Sequence, residues 1–386
     1  GLFAYNLGPK VRPIAGFSMT SNASLLVFVS LFAPADKGGG IRAFHLDPQA
    51  GTLQGAHETC AVPHPFYLAV APDRSMLYSV WAATFGGGEE EQVAAWRIVG
   101  RDGALEPCGR QSTRGTAACY LETDSTGRAL LVANYSSGSV AALPLGPDGE
   151  PRVAVSVQEH VGSSVNPARQ REPHAHAIVP APPRPGAAGK AVSRFAYAAD
   201  LGTDQILCYR FDPARATLDP HDPPFTKAPP GAGPRHLRFS PDGRTLYCIN
   251  ELANTVGVYG HDGATGRLTE RQMIPTLPPG FTGTSHTADL RLTPDGRFLY
   301  GTNRGHDSIV VYRVVADGRL ETVDIVPSRG KGPQNIAITP DGGLLLCANM
   351  PGNNVVVFRI DAATGRLTPI GEPVAVTSPA CLAVVP

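Results

Sequence analysis

Residues 233–269 read GPRHLRFSPDGRTLYCINELANTVGVYGHDGATGRLT. The same unit returns as SHTADLRLTPDGRFLYGTNRGHDSIVVYRVVADGRLE at 285–321 and as GPQNIAITPDGGLLLCANMPGNNVVVFRIDAATGRLT at 332–368. Each copy holds an alternating strand, a Pro-Asp-Gly turn, a second strand ending in Asn, a polar turn, a third strand, a Gly-Arg-Leu turn and a fourth strand. Proline presets φ for the first turn position, and Asp-Gly offers the positive-φ positions that a tight hairpin demands. Four antiparallel strands per repeat make one propeller blade.

Weaker copies continue upstream. HPFYLAVAPDRSMLYSVWAATF (64–85) and TAACYLETDSTGRALLVANYSSGSVAAL (116–143) follow the template, as does PHAHAIVP (173–180) with RFAYAADLGTDQILCYRFD (194–212). In that last copy APPRPGAAGKAVS replaces the short hairpin and reads as a longer surface turn. An N-terminal copy, SLLVFVS (24–30) with GIRAFHLDPQAGTLQ (40–54), has the later strands but no clear first one, and SPACLAVVP (378–386) ends the chain with first-strand character. The sequence therefore predicts one all-β domain over 1–386, a seven-bladed β-propeller closed by pairing of the C-terminal strand with the N-terminal blade. Segments 1–16 and 156–172 fall outside the template and are expected to form loops over one face. No stretch keeps a 3.6-residue period, so helices should be nearly absent.

Composition narrows the function. Lys+Arg and Asp+Glu both number 33, which leaves no net charge to draw the chain to nucleic acid or to a membrane surface. No apolar run approaches the roughly 18 residues of a membrane helix. Seven scattered cysteines without a CxxC spacing indicate neither a disulfide framework nor a zinc site, and several sit in apolar strands as small hydrophobes. No signal-peptide pattern opens the chain, although Gly1 is not an initiator methionine; a cytoplasmic location is expected.

In an antiparallel blade, the start of the first strand and the end of the second share one edge, and first strands line the central channel. Residues at those positions therefore converge on one channel mouth. There the sequence gathers His174, His176, Asp200, Arg235, His236, Glu251, His286 and Arg304, and converging polar groups at a concave mouth are a candidate binding site. His174 and His176 lie two apart, so on a strand both face the mouth. Asp200, Asn303 and Asn349 can instead close turns through their side chains, and His64 and His306 read as turn or surface residues.

The stretches GPRHLRFSPDGRTLYCINELANTV, ADLRLTPDGRFLYGTNRGHDSIVVY, RQREPHAHAIVP and DLGTDQILCYRFD resemble the bacterial seven-bladed lactonase family, which includes propeller-type 6-phosphogluconolactonases and, more distantly, the fungal carboxy-cis,cis-muconate cyclase. The resemblance implies a lactonase whose active-site residues are His176, Arg235, Glu251 and Arg304, acting on a small-molecule lactone or carboxylate without a metal or other cofactor. Around them, His174, Asp200, His236, His286, Asn303, Gln334, Asn134 and Tyr67 are expected to contact substrate. Two positions depart from the family pattern. GPQN carries Gln334 where relatives that handle phosphorylated sugars often have Arg, and SHTADL adds His286 where a smaller residue is more usual.

Hydrolysis of a lactone needs an activated water, a charge partner for the oxyanion and a proton for the leaving alkoxide. Glu251 or His176, tuned toward neutrality by burial, is the expected base, with Arg235 and Arg304 holding the oxyanion and the substrate's carboxylate or phosphate. Three alternatives use the same mouth. One is a cyclase acting on an unsaturated dicarboxylate. Another is a calcium-dependent lactonase using Asp200, Glu251, Asn134, Asn303 and Asn349. The third is a non-enzymatic binding scaffold.

Overall fold

The structure, a computed structural model, describes residues 24–57, 59–185 and 191–385. It contains seven antiparallel sheets arranged as blades, with two single-turn 3₁₀ segments, Ala35–Lys37 and Ala316–Gly318, and no α-helix among the described residues. Blades 5, 6 and 7 are the three strong repeats, with innermost strands Pro234–Phe239, His286–Leu292 and Pro333–Ile338. Those of blades 2, 3 and 4 are Leu68–Val70, Ala118–Thr123 and Ala175–Pro180. The C-terminal strand Pro379–Val385 pairs with Leu25–Leu31 and becomes the innermost strand of blade 1. Neighbouring inner strands touch all the way round, so the ring is closed as the sequence indicated.

Two expectations change. Ser156–Glu159, read as loop, is the outermost strand of blade 3, paired with Ser139–Pro144; the covering loop starts after it. Segment 1–16 lies outside the described residues. The insertion in blade 4 carries a two-stranded ribbon, Arg184–Pro185 with Ala191–Val192. The Pro-Asp-Gly turns also differ in detail, because only glycine takes positive φ (Gly243 68°, Gly296 74°, Gly342 73°). The aspartate acts through its side chain. Asp242, Asp295 and Asp341 each accept the hydroxyl two residues earlier at 2.6 Å and the backbone N–H two residues later.

The blades are held to one another by repeated polar staples within an otherwise apolar core of strand side chains. Tyr78, Tyr197, Tyr247 and Tyr300, at matching positions of second strands, donate their hydroxyls to the carbonyls of Gly149, Gly266, Gly318 and Gly365 in the next blade, at 2.7–2.9 Å. A second staple lies nearer the mouth. Asn134, Asn303 and Asn349 donate to the carbonyls of Thr113, Thr276 and Ser328, which follow the outermost strand of the preceding blade. Blade 4 makes the same link with Asp200, whose carboxylate accepts His160 Nδ1 at 2.6 Å.

Removing one staple while keeping its ring should cost stability alone. Tyr300→Phe deletes a bond to a buried carbonyl and is expected to lower unfolding free energy by about 1 kcal/mol with unchanged catalytic parameters, read from a denaturant midpoint beside steady-state kinetics. An unshifted midpoint would remove the staple from the account.

Candidate active site

One irregularity recurs at the mouth end of the inner strands. Register jumps between Ala175 and Ala177, between Pro234 and His236, and between Pro333 and Asn335, so that His176, Arg235 and Gln334 have no partner on the second strand. Cys119 and Ala380 are skipped in the same way in blades 3 and 1, and Ala288 with Asp289 in blade 6. Each is a β-bulge, which turns an extra side chain out of the ladder. Four of the bulged residues, Cys119, His176, Arg235 and Gln334, line a cavity of about 230 Å³ at the channel mouth, completed by Glu251, Arg304, Tyr135, Arg169, Met350 and the rings of Phe66 and Phe85. A larger groove, about 1040 Å³, opens on the opposite face and is lined mainly by turn residues of blades 2 and 3.

Glu251 is the centre of the cavity. Its backbone N–H donates to Gly233 O at 2.7 Å just past the second strand of blade 5, which fixes the side chain over the bulge. Oε2 is 3.0 Å from Arg235 Nε and 3.1 Å from Arg304 Nη2, while Oε1 accepts from Arg169 Nη2 at 2.8 Å. Burial pushes the carboxyl up, but the Arg304 and Arg235 charges outweigh it and hold Glu251 well below the usual carboxylate range. It is therefore a fixed anion, and the expectation that burial tunes it toward neutrality fails because three guanidiniums face it. His176 Nε2 stands 3.8 Å from Glu251 Oε2, and burial, then the Arg235 charge, keep its imidazole neutral. Arg304 is lowered to about 10 by burial and by Arg235, and remains charged at neutral pH.

Arg235, 1% exposed, is oriented from below. It donates to Ala288 O, and its Nη1 lies 3.1 Å from His236 Nε2. His236 in turn presents Nδ1 to Asp289 Oδ1 at 2.8 Å, which fits a neutral ring donating from Nδ1 and accepting at Nε2. Asp289 Oδ2 accepts Asn335 Nδ2 at 2.7 Å, and Asn335 Oδ1 accepts Leu382 N at 2.8 Å, so one chain of bonds crosses blades 5, 6, 7 and 1. Tyr67 and Tyr120 pack edge-on against His236.

Of the residues expected at the mouth, His176, Arg235, Glu251, Arg304 and Gln334 meet in the cavity. Gln334 accepts Arg304 Nη1 at 3.3 Å. The others have different places. Asn134, Asn303 and Asp200 are fully buried in the blade staples, and with Asn349 they stand at the seams of four different blades rather than as one converging calcium set. Among the described residues no three His, Cys, Asp or Glu side chains gather as metal ligands. His236 and Tyr67 lie one layer deeper, and His286 is outside the cavity lining. His174 precedes the strand, so alternation with His176 is broken by the bulge; its ring stacks on Tyr135 at 4.4 Å. His64 and His306 bond locally, to Ala82 O and Ser308 Oγ.

Sequence reading missed Arg169, Phe85 and Met350, which come from connections between strands; RQREPHAH, quoted for the family likeness, begins at Arg169 itself. The family model described as "Lactonase, 7-bladed beta-propeller" matches residues 27–384. The chain belongs to that family. It is 33% identical over 90% of its length to a 6-phosphogluconolactonase of Bacillus subtilis, covering 95% of that protein. It is 28% identical over 92% of its length to a 6-phosphogluconolactonase of Formosa agariphila, covering 98%. Among solved structures, the Pseudomonas aeruginosa periplasmic gluconolactonase superposes with a TM-score of 0.84 at 33% identity, covering 94% of this chain and 99% of that one.

The buried histidines set an acid limit on this member of the family. Burial, then the Arg235 charge, lower His236 to about 3, and His176 is likewise depressed. The unfolded chain therefore takes up protons below about pH 6.5 that the folded chain refuses, so stability falls as pH drops from about 6.5 toward 3, by up to ~1.4 kcal/mol per pH unit for each histidine. The thermal midpoint should be level from about pH 8 to 7 and decline from about 6.5 to 5; a level profile across the whole range would contradict these environments.

Proposed function

We propose that the cavity hydrolyses the lactone of a sugar acid carrying an anionic group, with 6-phosphogluconolactone as the leading substrate. One observation carries the anionic part of this reading. Three guanidinium charges face one carboxylate beside a neutral imidazole, which leaves a surplus of two positive charges in a largely buried pocket. Such a surplus is stabilised by an anion brought in with the substrate. The named relatives from B. subtilis and F. agariphila support the phosphorylated lactone, and the P. aeruginosa neighbour supports an unphosphorylated one. Gln334 lowers the cation count by one relative to an Arg at that position, yet its carboxamide oxygen orients Arg304.

Neutral His176 takes a proton from water as the water oxygen bonds to the lactone carbonyl carbon. The resulting imidazolium is countered by Glu251, which stays ionised throughout. Arg235 and Arg304 donate to the oxyanion. When the bond from the carbonyl carbon to the ring oxygen breaks, the imidazolium returns its proton to the leaving alkoxide, which gives the open hydroxy acid. Phe66 and Phe85, stacked 5.0 Å apart, offer the C–H face of the sugar ring an apolar wall, and Arg169, in the same lining, grips the anionic group. The chemistry requires no metal. Seven free thiols support a cytoplasmic location, which cell fractionation tests; among the described residues no helix is long and apolar enough to cross a membrane.

Hydrolysis of freshly made 6-phosphogluconolactone, corrected for the spontaneous rate, should survive chelator and exceed that of gluconolactone. Arg235→Ala should lose about 10²–10³ in turnover, as for loss of an oxyanion donor, and His176→Gln about 10²–10⁴, as for loss of a general base. Loss of turnover on chelation, or His176→Gln at the native rate, would overturn this mechanism.

A further inference from the structure

Arg169 belongs to the connection 160–172, which lies outside the repeat, and the outer side of that connection is bare, with Val161 79% and Val165 64% exposed. Yet the Arg169 guanidinium lies within hydrogen-bond reach of both Glu251 and Tyr135, at 2.8 and 3.2 Å. Holding a long, half-exposed arginine in one geometry costs rotamer freedom, so something on the inner side must fix its backbone. The next residue does. Gln170 is fully buried, and its Nε2 donates to Asp204 Oδ1 at 2.7 Å and to Leu201 O at 2.8 Å, while its Oε1 accepts Asn166 N at 3.0 Å.

Asp204, 2% exposed, accepts three further bonds: Gly233 N at 2.7 Å, Gly231 N at 2.6 Å and Ser164 Oγ at 2.5 Å. This carboxylate collects the Arg169 connection on one side and the turn that leads into Arg235 on the other. Gly233, which it holds, also accepts the Glu251 backbone N–H. We infer that Gln170 and Asp204 are positioning residues that hold Arg169 against Glu251 and so set affinity for the substrate's anionic group. The inference rests on the proposed reading of Arg169 as the grip on that group. Neither residue lines the cavity, so both act through the ones that do.

The test is a double-mutant cycle on KM for 6-phosphogluconolactone with Arg169→Ala, Gln170→Ala and the pair. Arg169→Ala should raise KM about tenfold or more, as for a lost hydrogen bond to a charged group, with a much smaller change in kcat. Gln170→Ala should reproduce most of that rise, and the double variant should be no worse than Arg169→Ala. A merely structural role would reduce the active fraction, and therefore kcat, without moving KM. Ser164→Ala, which removes only one bond to Asp204, gives a milder KM rise and covers the case in which Gln170→Ala does not fold. A native KM in Arg169→Ala would overturn the reading of Arg169. A raised KM there with a native KM in both Gln170→Ala and Ser164→Ala, or additive effects in the double variant, would overturn the positioning inference alone.

Discussion

One extra residue at the mouth end of an inner strand is what the rest of this site depends on. A regular inner strand would send alternate side chains to the channel and to the blade interior. The bulge breaks that alternation and lets consecutive residues, Arg235 and His236, both face the channel, one above the other. Repeated around the ring, it yields a cavity-lining layer of His176, Arg235 and Gln334 above a supporting layer of Tyr67, Tyr120, His236, Asp289 and Asn335.

The supporting layer answers a problem that any closed ring of seven blades creates. The inner strands surround an axis that backbone cannot fill, and an ionisable group placed there must be paired or lose its charge. Asp289 stays charged because burial is outweighed by Arg291 and by His236, and it joins neighbouring blades as it does so. Glu251 repeats the solution one layer up with three arginines. Both carboxylates hold geometry, and in the proposed mechanism the imidazole of His176 is the group that exchanges a proton.

The fold was legible because each blade repeats the same turn and strand signals, and because the ring closure left a strand missing at one end and spare at the other. The site was legible in part. His176, Arg235, Glu251, Arg304 and Gln334 occupy matching positions in repeated units, so repeat geometry alone brings them together. Asn134, Asn303 and Asp200 sit at equally regular positions and could not be told apart from them, since a polar residue ending a second strand reads the same whether it faces the mouth or staples two blades. Arg169 and Phe85 lie in connections of irregular length, where no period assigns a direction to a side chain. The bulge itself has no signature in the alternation, which is why His174 and His176 looked equivalent and are not.

On the proposed function, a surplus of positive charge around a pinned carboxylate selects an anionic sugar acid. Calorimetric binding of the hydrolysis products, 6-phosphogluconate against gluconate, across a range of salt concentrations measures that selection without the complication of a labile lactone. The account predicts that the phosphorylated acid binds tighter by about 1.4 kcal/mol or more, a factor of ten, and that the advantage shrinks as salt rises. Equal affinities at low salt would contradict it.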